Sequence, residues 1–336
     1  MQKAEISLRL RVGEWVEVRS LEEILDTLDD QQTVGGLPFM PEMIRFCGKR
    51  FRVYKSAHKT SDTIEIYTIR RMENAVHLEG LRCDGAAHGG CQAGCILFWK
   101  DCWLKRVPGP QELSETSKGG LKASGERNGT LKGEDQLLAA TKQSGPNGPT
   151  ECYRCQATEM LKATSEVRRR VRFGPAFYLQ DLTSGNVNLF DFIRFGSLAV
   201  LNCAILRRIG HPYPHIRGLA GDKTPTCELG LQAGELVRVK TKEEIMHTLN
   251  RKGRNRGLWF DVEMLPFCGR GPFRVLRRVE TFLNEKTGEM LKPNNICIIL
   301  DGVTCSGNYS HHRMFSPRNE YIFWHEIWLE RVVPGK

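Results

Sequence analysis

Val16 and Val18 alternate with charged residues, and Val237 and Val239 do the same, the two-residue period of a half-buried β-strand. Each pair is followed by a hydroxyl three residues ahead of a glutamate, Ser20 with Glu23 and Thr241 with Glu244. These are capping boxes, in which side chains and backbone at a helix start satisfy one another's hydrogen bonds. Ile24 and Leu28, like Ile245 and Leu249, then fall on one face of a predicted two-turn helix. Cys47-Gly48 and Cys268-Gly269 mark turns into strands near 51–54 and 273–276. Two more short strands are expected near 76–78 and 103–107, with equivalents near 296–300 and 328–332.

The two sets of elements are one pattern written twice. Shifted by 221 residues, Gly13–Gly48 overlies Gly234–Gly269 without a gap, and 17 of the 36 positions are identical. With small insertions the match resumes at Phe51-Arg52-Val53 and Phe273-Arg274-Val275, at Cys83 and Cys305, and at Trp103-Leu104 and Trp328-Leu329. Internal periodicity of this strength implies a duplication. Short strands, tight turns and one short helix per copy predict a β-rich α+β chain of two SH3-like small barrels. The expected boundaries are 1–107 for copy one and 233–336 for copy two.

Between them, residues 108–150 are rich in Gly, Ser, Lys and Glu and read as a flexible, disordered linker. Residues 151–232 form a helical middle segment and loop. Apolar residues recur at helical spacing over 171–182 and 187–201, split by Ser184-Gly185-Asn186, before a loop rich in Pro and Gly. No uninterrupted apolar run approaches the 18 or so residues that span a bilayer, and the first residues lack a signal-peptide core, so a cytoplasmic protein without a membrane partner is expected. Net charge is +10, spread as +1, +4 and +5 over 1–107, 108–233 and 234–336. Charge so evenly spread argues only weakly for nucleic acid, which remains a possible partner beside a protein.

Twelve cysteines in a reducing compartment are buried thiols, reactive thiols or metal ligands before they are disulfides. In copy one Cys47, Cys83, Cys91 and Cys95, with His88 inside the Gly-rich loop, could converge as a tetrahedral zinc site. In copy two Cys268 and Cys305 could be completed by His311 and His312. The same thiolates would suit an iron–sulfur cluster, and the competing account is plain core thiols. Cys152 and Cys155 form a lone C-x2-C outside any βαβ unit, available to the copy-one site or inert. Glu42 and Glu263 recur in both copies, which suggests buried carboxylates bonded to backbone. Trp99, Trp103, Trp324 and Trp328 recur too and read as core.

Two cationic stretches are candidate contacts for an anionic partner: Arg168, Arg169, Arg170 and Arg172, and the loop carrying Arg251, Lys252, Arg254 and Arg256. Copy one has Asp29-Asp30 where that loop lies, so the copies differ in surface charge. No P-loop, G-x-S-x-G, H-E-x-x-H or dinucleotide fingerprint occurs. The motifs Gly36-Leu-Pro-Phe-Met-Pro-Glu-Met43, Phe46-Cys-Gly48 and Leu78-Glu-Gly-Leu-Arg-Cys-Asp-Gly85 with Gly90-Cys-Gln-Ala-Gly-Cys95 resemble a bacterial family of tandem cysteine-containing SH3-like modules. The resemblance extends to Tyr153-Arg-Cys-Gln-Ala-Thr158. It implies the architecture and no activity. Ser316 stands where the family has a cysteine before Pro317-Arg318, which counts against metal in copy two. The expected function is a tandem-module interaction or scaffold protein with a structural thiolate metal site. A metal- or thiol-dependent enzyme or accessory factor of a biosynthetic pathway is the second option, and a nucleic-acid binder the third.

Overall fold

The computed structural model describes residues 7–64, 69–109, 130–145, 148–168, 171, 174–206, 208–210, 213–309 and 313–332. The chain is β-rich with a few helices and divides into two compact units, Met1–Asn188 with Leu283–Met290 and Leu189–Phe282 with Leu291–Lys336. The expected middle segment is therefore shared between units, and a hairpin tip from the second copy belongs to the first.

The first unit is built on a five-stranded antiparallel sheet curled as a half-barrel. Its strands are β1 (Trp15–Val18), β2 (Arg50–Ser56), β3 (Ala75–Arg82), β4 (Ile96–Lys100) and β5 (Leu104–Arg106), in spatial order β4-β3-β2-β1-β5. Val16 and Val18 face inward, as their alternation predicts, and helix α1 (Leu21–Leu25) starts with both halves of the Ser20–Glu23 box formed. The helix is shorter than two turns, and Ile24 is buried, as are Val53, Leu78, Trp99 and Trp103. The Trp103 indole N–H donates to the Thr27 hydroxyl at 3.2 Å, and Phe39 meets the indole edge-on.

Part of the expected linker is ordered. Thr130–Ala140 forms helix α2, and Lys142–Gly145 pairs with Gly148–Tyr153 as a hairpin. Gly133 lets α2 approach closely, since a Cβ there would lie 2.5 Å from a Leu25 methyl, and Leu137 is buried. Tertiary contact to α1 thus offsets a composition that reads as disordered. Residues 110–129 lie outside the described residues. Helix α3 (Pro175–Thr183) is tied in by a fully buried ion pair, Lys59 Nζ to Asp181 Oδ2 at 2.5 Å, with His58 Nε2 3.2 Å from Oδ1. Asn186, in the predicted helix break, exchanges hydrogen bonds with the Ser56 backbone.

The second unit holds a sheet of β6 (Leu236–Val239), β7 (Phe273–Val279), β8 (Cys297–Thr304), β9 (Tyr321–His325) and β10 (Leu329–Arg331), in order β9-β8-β7-β6-β10. Pairing recurs position by position: Val16 faces Phe51 and Val237 faces Phe273, while Val18 faces Leu104 and Val239 faces Leu329. Both long strands shift register at a glycine of positive φ, Gly80 and Gly302. Trp328 donates to Thr248 at 2.9 Å with Phe260 edge-on, as in the first unit. Helix α4 (Leu189–Leu201) continues through a π-helical turn, Asn202–Leu206. Over Leu189–Leu206 its mean hydropathy is 1.7, enough by length and composition to cross a membrane. Inspection for unbroken apolar runs misses it because Asp191, Arg194, Ser197 and Asn202 interrupt the stretch.

Candidate metal centre

In the first unit a carboxylate, a thiol and an imidazole converge below the sheet rim. Glu42 comes from the 3-10 turn Pro41–Phe46, where Pro41 sets the first helical φ and the turn stops at Cys47-Gly48. Cys83 follows β3 directly, beyond the Gly80 bulge, and its N–H donates to Cys95 O at 2.8 Å, closing the loop 83–95. Within that loop His88 N–H and Gly90 N–H both reach Gly85 O. A Cβ on Gly85 would lie 2.0 Å from Cys91 O, and its φ is +75°, so only glycine permits the fold-back that buries His88.

Cys83 Sγ lies 3.2 Å from Glu42 Oε1 and 3.4 Å from His88 Nε2, and His88 Nδ1 lies 3.6 Å from Glu42 Oε1. With one ligand atom from each residue the three lie within 4.8 Å of one another, so small side-chain shifts would bring them to the roughly 3.3–3.6 Å that separates ligand atoms around a tetrahedral zinc. Glu42 and His88 are buried, and Glu42 Oε2 and His88 Nδ1 have no hydrogen-bond partner. Orphaned buried polar atoms are costly, so two at one point ask for a missing partner.

Every charge state is set by burial. Burial raises the Glu42 carboxyl above its ordinary range. It also pushes the Cys83 thiol far up, reinforced by Glu42, Cys95 and Cys155 nearby. Burial holds the His88 imidazole down at about 4. Without a cation, burial disfavours the charged form of all three groups. A divalent ion reverses this, since one thiolate and one carboxylate balance its charge in a low-dielectric site and release protons as they bind. Binding should therefore tighten as pH rises.

The neutral imidazole also has a consequence for the metal-free chain. A depressed folded-state pKa contributes stability that is complete above the ordinary value of 6.5 and lost as pH falls through about 4. The melting temperature of metal-free protein should fall over that interval, and His88→Gln should flatten the fall. His325 in the second unit, held to about 4 by burial and by Arg256, acts with the same sign. A His325→Gln variant measured alongside separates the two.

The expected ligands are redistributed. Cys83 and His88 meet, but Cys47 does not belong to the group; it caps the 3-10 turn as a half-buried thiol raised to about 11 by burial. Glu42 takes its place. Cys91 is buried and accepts the Leu283 N–H at 3.3 Å, bringing in the hairpin tip. Cys95 flanks Cys83. Cys155 is buried and raised to about 12 by burial, with Thr158 and Ala157 N–H groups favouring its thiolate. Gln156 beside it is fixed by bonds to the Phe98 N–H, Phe98 O and Pro38 O.

The second unit lacks this arrangement among the described residues. Glu263 accepts from Tyr309 N–H and Ser306 Oγ at 2.7 Å and from Asn308 N–H at 3.3 Å, the backbone-bonded carboxylate the sequence suggests. Arg313, paired with Asp261, sets its guanidinium beside Cys305 and Glu263, where a metal would meet repulsion. Cys268 and Cys305 pack partly buried against the core. His311 and His312 lie outside the described residues.

Of the cationic candidates, Arg251, Lys252, Arg254 and Arg256 are exposed around the short hairpin of Arg254–Asn255 and Leu258–Trp259. Arg168 is exposed, and Arg169, Arg170 and Arg172 lie outside the described residues. The tryptophans are core, as their recurrence suggests. Glu42 was obscured because it is identical in both copies and looked structural. The signal that separates the copies is the partner, since His88 is matched by Ser310. No protein-family model, curated protein or solved structure matches the chain.

Proposed function

We propose that the chain is a tandem-module interaction protein whose first module is stabilised by a zinc ion held by Glu42, Cys83 and His88. The observation that carries the reading is that these three side chains offer ligand atoms within 4.8 Å of one another, with Glu42 and His88 buried and one polar atom of each orphaned. The corresponding strand orders and the sequence match support two SH3-like modules from one ancestor, as in the bacterial family that the motifs resemble. Module two, its carboxylate already satisfied, keeps the frame without the ion. Its exposed cationic hairpin suits an acidic protein surface, and nucleic acid would be recognised by the same charges with steep salt dependence. The proposed setting is the cytoplasm, where the thiols stay reduced.

The contacts Cys83 Sγ–His88 Nε2 and His88 Nδ1–Glu42 Oε1 also have the connectivity of a nucleophile, a base and its orienter. Burial keeps the thiol protonated, which weakens it as a nucleophile and favours the structural reading.

A matched pair of isosteric variants tests the proposal. Glu42→Gln should lower zinc affinity at least tenfold, because it removes the charge that balances the ion. Glu263→Gln should leave zinc affinity unchanged and lower stability by about 1–3 kcal/mol, the cost of upsetting a buried hydrogen-bond network. Equal zinc affinity in both variants would remove Glu42 from the site.

A further inference from the structure

We propose that the helix Leu189–Leu206 seats the chain on an anionic lipid bilayer, lying in the plane of the interface. An apolar helix inside a soluble protein is buried, yet only 11% of this 18-residue stretch is. One face is used by the protein: Phe192 stacks on Phe315 at 5.7 Å, Phe195 meets Tyr309 at 5.2 Å, and Asn202 takes the Tyr213 N–H. The opposite face is as apolar as the seated one. Phe190 is 72% exposed, Val200 68%, Ile193 58% and Ile205 52%, with Leu189 and Leu201 beside them. Only Ser197 and Arg194 interrupt that face.

Eighteen residues make a stripe about 27 Å long, and such a continuous exposed apolar surface marks an interaction site. Charge decides the occupant. Along the helix and the turn that follows it, the described residues carry the exposed Arg194 and Arg208 against the partly buried Asp191. The exposed Arg194 at the rim and Arg208 just past the end of the apolar stripe suit anionic headgroups beside acyl chains, and their long side chains can reach the headgroups. Because Phe192 and Phe195 hold the other face, the helix lies on the bilayer instead of crossing it. This departs from the absence of a membrane partner expected from the sequence, and it is independent of the metal site.

Flotation of the full chain with vesicles tests the proposal. At 0.15 M salt, vesicles of phosphatidylcholine with 30% phosphatidylglycerol should carry at least tenfold more protein than pure phosphatidylcholine, and higher salt should weaken binding. The double variant Ile193→Glu, Val200→Glu changes only exposed positions, so it should keep the wild-type melting temperature and zinc content while losing tenfold or more in flotation. Wild-type protein left unbound by anionic vesicles, or a variant that floats as well as wild type, overturns the proposal. A solution dimer dissolved by the double substitution, with no flotation of wild type, would overturn it too and assign the face to a second copy of the chain.

Discussion

Replacing Cys83 with serine should strip the zinc from the purified chain and lower the melting temperature of the first unit by roughly 10 °C. The size follows from mass action. An ion present at a thousand times its dissociation constant stabilises the folded state by about 4 kcal/mol, and for a unit of this length each kcal/mol moves the midpoint by about 2–4 °C. The thiolate is the softest ligand of the three, and a hydroxyl cannot replace it at neutral pH. Scanning calorimetry with and without a chelator separates the ion from the side chain. Wild type and variant should differ with zinc present and nearly converge when it is removed. A difference that persists in chelator would make Cys83 a packing residue. Cys203→Ser, at an exposed position away from the group, should leave both zinc and melting temperature unchanged.

Trp328→Ala should destabilise the second unit by about 3–5 kcal/mol, the range for truncating a large buried aromatic side chain. Trp328 has no exposed surface, meets Phe260 edge-on at 5.3 Å, stacks near His325 at 5.1 Å and satisfies the Thr248 hydroxyl. Its loss removes those contacts and leaves a cavity. All three proposed ligands belong to the first unit, so zinc content should be retained while the second unit melts early. Zinc lost together with the second unit would show that the centre depends on residues beyond the first. Trp328→Phe, which keeps an aromatic ring and loses the N–H to Thr248, should cost less than the alanine change.

Local chemistry made much of this frame legible. The alternation at Val16, Val18, Val237 and Val239 predicts inward-facing strand positions, and both capping boxes form. The four tryptophans that recur at matching sequence positions are all fully buried. The surfaces differ: Asp29 accepts the Thr33 N–H in one turn, and the exposed Lys252 and Arg254 flank the corresponding turn in the other unit.

What escaped the sequence depends on contacts between distant segments. Helix α2 sits among Gly, Ser and Lys and forms where Gly133 and Leu137 meet the first module. The tip Leu283–Met290 belongs to the first unit because its backbone bonds to Cys91 and Tyr153, more than 130 residues away in sequence. The site was half legible. Cys83 and His88 were singled out because the glycines allow their loop to fold back. Glu42 recurs in both copies and so reads from the sequence as a carboxylate bonded to backbone, although charge balance for a divalent ion in a buried site is met by one thiolate and one carboxylate.

Metal content tests most directly whether Glu42, Cys83 and His88 hold zinc. Full-length protein purified without chelators should carry about one zinc per chain by elemental analysis, and Cys83→Ser should carry none while Cys305→Ser keeps its ion. Wild-type protein that is free of metal and takes up no zinc when titrated at neutral pH would contradict that reading and leave the three side chains as a hydrogen-bonded cluster without an ion.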